Sequence, residues 1–328
     1  MRHTDGSHPV ASPDPTRHGR AAAAYAAARL YFEDELSQAE IAKRLSVSRS
    51  TVSRLIAQAR ESGIVRIEIR PPIAASDVAD ALASVLGLRR VVVTPDGDGD
   101  RPPVALAGSA LKELADLDLQ AGQVLLLSWG RALWEIASGR LPLLRGVHMV
   151  PAVGGMTESE RPFHTNEIVR RAAERSGAIA HPLHAPAVPS AALRRALLAD
   201  DAIGAVIALW ERIDVAIVGI GVPPGQPGSY TPLHVSTDEA RPLLSRAAGD
   251  IATRYFDLNG RPIHYPAEKR LLAVSREQLQ RAGTVIGVAA GENKHRAIVG
   301  AARAQLVDVL VTDAATAGAA LELAEATG

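Results

Sequence analysis

Several side chains between residues 48 and 58 have the types and spacing needed to read nucleic-acid bases. Val52, Leu55, Ile56 and Ala59 recur at i, i+3, i+4 and i+7, the spacing of one buried helical stripe. Advancing about 100° per residue then places Ser50, Ser53, Arg54, Ala57 and Glu61 opposite that stripe, with Gln58 on one flank. Arg54 can pair bidentately with guanine O6 and N7, and Gln58 with adenine N6 and N7. Ser48 suits an N-cap, which leaves Arg49 and Ser50 in the first turn, the part of a recognition helix that reaches base edges. A pair of amphipathic helices with merely solvated charges is the plainer alternative.

A second set of residues suits anion chemistry. Small residues follow apolar strand-like runs in Ser128-Trp129-Gly130-Arg131, in Gly154-Gly155 and in Gly291-Glu292-Asn293-Lys294. Loops of this kind, leading into helix N-termini, offer backbone N–H groups and a favourable dipole to a phosphate. The chain has only four lysines, and Lys294 stands at such a helix start, where its ammonium would add a point charge. A surface lysine paired with Glu292 is the competing reading. Asp250, beside Gly249, is placed to accept hydrogen bonds from sugar hydroxyls, whereas Asp313 reads as a helix cap. The histidines show no HExxH or similar close spacing, so neither a metal nor a cofactor is expected.

The elements that position these groups follow from periodicity. Ile41, Ala42 and Leu45 mark a first motif helix, and a short turn through Ser46 leads to the second. An Ala-rich helix from Arg20 to Glu35, carrying Tyr25, Leu30 and Tyr31, would complete a three-helix core. Ser62-Gly63 ends the reading helix, and Ile64, Val65, Ile67 and Ile69 then alternate with Arg66, Glu68 and Arg70. That strand is either a wing bringing Arg66 to a phosphate or a plain connector. Pro71-Pro72 begins a stiff link to a short amphipathic helix at 77–86.

Beyond residue 88, apolar runs at 91–93, 124–127, 148–150, 178–183, 215–220, 271–274, 284–289 and 308–312 alternate with helical segments near 104–116, 131–138, 165–176, 190–211, 236–248, 293–304 and 314–326. This is the signature of a doubly wound α/β sheet. The expected organisation is a disordered tail at 1–19, a helix-turn-helix domain at 20–70, a linker and connecting helix at 71–87, and an effector-binding domain at 88–328.

Composition sets limits. The 36 basic and 36 acidic residues balance, so attraction to nucleic acid cannot come from bulk charge. Residues 41–70 nevertheless hold seven basic side chains against Glu61 and Glu68. There is no cysteine, no apolar run of about 18 residues and no secretory stretch near the start, which points to the cytoplasm and no membrane.

The chain resembles the SorC family of bacterial sugar-responsive regulators from about residue 20 onward. The resemblance rests on QAEIAKRLSVSRSTVSRLIAQARESGIVRIEI, LLLSWGRAL, VPAVGGM, VAIVGIG, GDIATRYFDLNGRP and AGENKHRAIVGAARAQLVDVLVTDAATA. It implies a winged or sigma-region-4-like helix-turn-helix joined to an α/β domain similar to sugar-phosphate isomerases and deaminases, in a tetramer or dimer. Ser128, Trp129, Gly130, Arg131, Gly154, Gly155, Asp250, Glu292 and Lys294 would then contact a sugar, polyol or sugar phosphate, and Ser48, Arg49, Ser50, Thr51, Ser53, Arg54 and Gln58 double-stranded operator DNA. The rival function is a sugar-phosphate isomerase or deaminase with an accessory DNA-binding module, for which Asp250 is the available base.

Overall fold

A computed structural model describes residues 15–65, 75–94, 102–155, 164–226 and 239–328. The chain divides into two compact units, residues 1–72 and 73–328.

The first unit is a three-helix bundle: α1 (Pro15–Phe32), α2 (Gln38–Arg44) and α3 (Arg49–Glu61). α1 starts five residues before Arg20, so the stretch expected to be unstructured is helical from Pro15. Proline is favoured at a first helical position because its φ is preset and its missing N–H needs no partner there. α2 opens with a capping box: Glu40 N–H donates to Ser37 Oγ, and the Ser37 N–H donates back to Glu40 Oε2 at 2.9 Å. Ala27, Ile41, Val52 and Ile56 form the core, with Leu30, Tyr31, Leu45, Val47 and Leu55 around it. Tyr25 is not part of it and stays 55% exposed. Ala24 and Ala28 instead meet Ala59 of α3, since small side chains let the two helices approach closely.

The turn between α2 and α3 holds Ser46 at φ +54°, a left-handed conformation that a glycine adopts without cost. Gly63, at φ +75°, ends α3, and Val65 N–H bonds back to the Ala59 carbonyl. The remainder of the expected wing, with Arg66 and Arg70, lies outside the described residues.

The second unit is built on seven parallel strands in the order β1-β9-β8-β5-β2-β3-β4. They are β1 (Arg90–Thr94), β2 (Val124–Leu127), β3 (His148–Pro151), β4 (Ile179–Ala180), β5 (Val215–Gly219), β8 (Thr284–Val288) and β9 (Val309–Asp313). Strands buried on both faces read as continuous apolar runs, as these do. Leu125, Leu127, Met149, Ile217, Ile286 and Val311 share one face with residues of α5 (Pro102–Asp116), α6 (Arg131–Ser138) and α7 (Thr165–Ser176). Val124, Leu126, Val150, Ala216, Val218 and Leu310 share the other with α4 (Ala75–Leu86), α9 (Asp201–Ala208), α12 (His295–Arg303) and α13 (Ala314–Ala326). The helix expected to connect the modules is thus part of this core, because Leu82 of α4 is fully buried in it.

Three segments differ from expectation. Residues 271–274 form no strand; they run as a buried strip in which Leu272 N–H donates to Ala187 O and Val274 N–H to Ala152 O. The 190–211 helix divides into α8 (Ala191–Leu198) and α9, because Asp200 Oδ1 caps α9 by accepting from the Ala202 and Ile203 amides at 3.0 Å. The 236–248 helix is reduced, within the described residues, to α10 (Arg241–Leu244), and the chain then forms an antiparallel hairpin of β6 (Gly249–Ile251) and β7 (Arg254–Phe256). Its two-residue loop, Ala252-Thr253, has φ of +50° and +63°. Such loops usually carry Asn-Gly or Asp-Gly, so nothing in Ala-Thr announces a turn.

Because Ser46 carries a left-handed penalty, Ser46→Gly should raise the stability of the helical unit by about 0.5–1 kcal/mol. Slower hydrogen exchange of α2 and α3 amides in the intact protein is the readout; unchanged exchange would show the turn to be unstrained.

Candidate DNA-reading helix and effector site

Arg49, Ser50, Ser53 and Arg54 lie exposed on α3, while Thr51 and Gln58 are half-buried beside the core-facing Val52 and Ile56. Ser48 is the N-cap: its Oγ accepts from the Thr51 amide at 3.1 Å. The same Oγ is 2.8 Å from both Ser50 Oγ and Thr51 Oγ1. The first-turn hydroxyls are therefore knitted to one another, which fixes the start of the helix. Arg49 and Arg54 carry no partner among the described residues. Arg60, by contrast, stacks over Phe32 of α1 at 5.5 Å from the ring centroid.

In the larger unit the chain reverses direction across the sheet between β5 and β2, and the crevice outside the carboxyl ends of such strands is where α/β sheets bind ligands. β5 lies between β8 and β2, and both neighbours turn into helical segments through a glycine in nearly the same conformation. Gly130 has φ 123° and ψ 169°, and Gly291 has φ 122° and ψ 156°, a region essentially restricted to glycine. Neither α6 nor the 3-10 turn Glu292–Lys294 has a side-chain cap, so their leading N–H groups are left without side-chain acceptors. Thr316 Oγ1 accepts the Gly291 N–H at 2.8 Å and anchors that loop to α13. Ser128 is buried, its N–H bonded to the Ile217 carbonyl, and Trp129 is half-buried beside Ala273.

Charges converge on the end of β5. Lys294 Nζ donates to the Ile220 carbonyl at 2.7 Å rather than pairing with Glu292, which is exposed. Burial pulls the lysine pKa below its ordinary value, the positive charge of Arg131 adds to that pull, and Asp250 opposes it. The buried Asp250 carboxyl accepts the Thr253 N–H on Oδ2 at 3.0 Å. Its Oδ1 sits against the Gly221 backbone, 2.0 Å from where a Cβ would be. Two backbone bonds join Gly221 and Asp250, so only glycine permits this contact. Burial pushes the Asp250 pKa up to about 6, against the Thr253 amide and the Lys294 charge.

The structure thus brings Asp250 and Lys294 together at Ile220-Gly221, with Arg131 close enough for its charge to act on Lys294, while Gly130 and Gly291 lead out of the two strands that flank β5. Gly154 and Gly155 differ in kind: their amides already donate to Leu272 and Ala185 carbonyls, and a Cβ on Gly154 would meet Ala185 O at 2.7 Å. The smallness of Gly154 serves close packing of loops, whereas a Cβ on Gly155 would come no nearer than 3.6 Å to the Ala185 carbonyl oxygen. Asp313 is a cap, accepting the Thr316 N–H. Gly221 and Thr253 escaped the sequence reading; the Gly219-Ile220-Gly221 spacing after a strand was the available signal for the former.

Among the described residues, His148 and His181 bond directly to each other at 2.7 Å, and no group of three or more potential ligands could hold a metal. No described helix is long and apolar enough to cross a membrane.

Comparison with known proteins agrees with both halves of this geometry. A family model described as "Putative sugar-binding domain" matches residues 70–322, and the model of sigma-70 region 4 matches residues 29–62. The sorbitol operon regulator of Klebsiella pneumoniae is 32% identical over 298 residues, 88% of this chain and 94% of that protein. The chain belongs to the SorC family. The full-length crystal structure of the sorbitol operon regulator SorC from Klebsiella pneumoniae matches with a TM-score of 0.68 and 30% identity, covering 92% of this chain and 99% of that one. The deoxyribonucleoside regulator of Bacillus subtilis is 30% identical, with 89% of this chain and 95% of that protein covered. This SorC-family chain is a DNA-binding transcriptional regulator with a sugar-binding effector domain.

A carboxyl whose pKa rises from 3.8 to about 6 on folding destabilises the fold once ionised, and that cost is absent when it is protonated. Asp250→Asn keeps an acceptor for Thr253 and removes the charge. Relative to the parent, the variant should therefore gain roughly 2–3 kcal/mol of stability as pH rises from 4 to 7. Denaturant titrations across that range measure it, and a pH-independent difference would show Asp250 ionising as in water.

Proposed function

We propose that this regulator reads a pseudo-palindromic operator with Arg49, Ser50, Ser53, Arg54 and Gln58, while Ser48 and Thr51 set the helix start and its phosphate contacts. Its effector is a phosphorylated sugar or polyol. The observation that carries this reading is the pair of glycine-led, side-chain-uncapped helix starts on either side of β5, with Lys294 and Arg131 beside them. A dianion would accept their amides and replace the Ile220 carbonyl as partner of Lys294. Ser128, Trp129 and Glu292 border the same crevice, and Asp250 accepts a sugar hydroxyl. Gly154 supports it through close packing and Gly155 through its backbone bonds to Ala185 and Ala187.

One helix-turn-helix contacts few base pairs, so the working form is a homodimer or homotetramer in the cytoplasm. Effector binding favours one quaternary arrangement, and a differential affinity of about 1–3 kcal/mol changes operator affinity about 5–150-fold. The protein senses its ligand and does not turn it over. Only the raised pKa of Asp250 favours the enzyme reading, and sugar-phosphate turnover by purified protein above the buffer rate would establish it.

A thermal-shift panel of hexose, pentose and polyol phosphates beside their unphosphorylated counterparts, with hits retested for operator release at fixed salt, tests the effector class. Stabilisation by the free sugars alone would remove the phosphate from the reading. Lys294→Ala should leave operator affinity unchanged and abolish release by whichever compound works on the parent; normal release would misplace the anion site. Arg54→Ala should weaken operator binding by about 1–3 kcal/mol and relax discrimination at one base pair. Unaltered affinity would take Arg54 off the reading face.

A further inference from the structure

β4 forms one edge of the parallel sheet and is only two residues long. Its backbone is tied to β3 through the Ile179 N–H, which donates to the Val147 carbonyl at 2.8 Å, and the His181 N–H, which donates to the Met149 carbonyl at 2.9 Å. A side-chain bond reinforces these ties: His148 Nδ1, at the first residue of β3, lies 2.7 Å from His181 Nε2, with the rings tilted at 42°. In that bond one ring must donate and the other accept. Beyond it the chain runs on as a strip in which Asn166 of α7 bonds both the N–H and the carbonyl of Leu183, and the Ala185 carbonyl accepts the Gly155 N–H. The pair thus stands where the edge strand hands over to a segment that reaches the loop after β3.

Both rings are half-buried. His148 has the parity of Val150 along β3 and so faces the side of the sheet packed by α9 and the 3-10 turn Leu209–Arg212, whose Trp210 donates its Nε1–H to the Pro151 carbonyl at 2.9 Å. Burial holds the His181 pKa below its ordinary value, and the charges of His148 and of Arg212 push it the same way. The carboxylates on either side of Arg212 in the chain are committed elsewhere: Glu211 to Gln278 and Arg281, and Asp214 to the Gln123 side chain and the Val124 N–H. We infer that the His148–His181 pair is a proton-operated latch on the edge of the sheet. With at most one added proton, the two nitrogens still share a hydrogen on the line between them. A second proton sets N–H against N–H, the Arg212 charge adds to the repulsion, and the rings part. β4 is then left with its backbone bonds alone, and the strip from His181 to Ala187 loosens with it. In the unfolded chain both imidazoles take up protons near their ordinary pKa of about 6.5. The stability that the pair contributes is therefore complete above that pH and is lost as pH falls through the lower folded value of His181. The latch stands independently of the effector reading above.

Native-state hydrogen exchange on the intact protein without ligand, corrected for the intrinsic rate at each pH, tests the latch. Between about pH 7.5 and about pH 5, on either side of the ordinary histidine pKa, protection of the amides of residues 179, 181 and 183 should fall about tenfold or more, while that of Ile217 and Val218 in β5 should not. The double variant His148→Asn with His181→Gln places amide groups that can donate and accept at the two ring positions and removes both titrations, so its edge should stay equally protected at the two pH values. An unchanged edge in the parent, an equal loss in β5, or a parent-like loss in the double variant overturns the proposal. Ring titration of the parent by histidine NMR decides the matter if the double variant does not fold. Two separate protonation steps are expected, the second coinciding with the loss of edge protection, and simultaneous titration of both rings near their ordinary pKa overturns the latch.

Discussion

A half-buried ammonium at the end of the central strand is the constraint around which the larger unit is arranged. Lys294 can sit there only because its ammonium donates a hydrogen bond to the Ile220 carbonyl and Asp250 offsets its charge. Asp250 in turn can approach only because residue 221 has no side chain and because the Ala252-Thr253 turn presents an amide to its carboxylate. The antiparallel hairpin that interrupts an otherwise parallel α/β unit is thereby explained: it delivers one carboxyl to the crevice. Burying such a group costs several kcal/mol when it is unpaired, so every contact around it is under constraint.

The glycines on either side solve a different problem. A strand that must turn at once into a helix with its N–H groups uncovered needs a backbone conformation that Cβ forbids, and Gly130 and Gly291 supply it symmetrically about β5. The same economy operates in the small unit through other means. There a serine hydroxyl caps α3 and binds its neighbours, and Arg49 and Arg54 on the exposed face have no partner among the described residues. The starts of α6 and of the Glu292–Lys294 turn carry no side-chain cap, whereas Ser48 caps α3 and holds its first turn still.

Much of this was legible in the chain because the signals were local. The 3.6-residue stripe of Val52, Leu55, Ile56 and Ala59 identifies α3 and its outward residues, and Ser48 and Ser62-Gly63 mark its ends. The apolar runs of β2, β5, β8 and β9 identify buried parallel strands. What failed was nonlocal or chemically silent. Residues 271–274 are as apolar as a strand, but they bond to Ala187 and Ala152 outside the sheet. The hairpin turn uses Ala and Thr, residues with no preference for positive φ, because Asp250 and Tyr265 hold it from outside.

The sequence by itself determined the identity of the two modules, the polarity of the reading helix and the strand–glycine–helix junctions, since each depends on residues within a few positions of one another. Only the tertiary structure decided which junctions share a crevice. Gly154 and Gly155 read from the chain like Gly130 and Gly291, yet their amides are spent on neighbouring loops. Lys294, Asp250 and Gly221 converge across more than seventy residues, because the strand order sets β5 between β2 and β8 and burial then makes their charges interdependent.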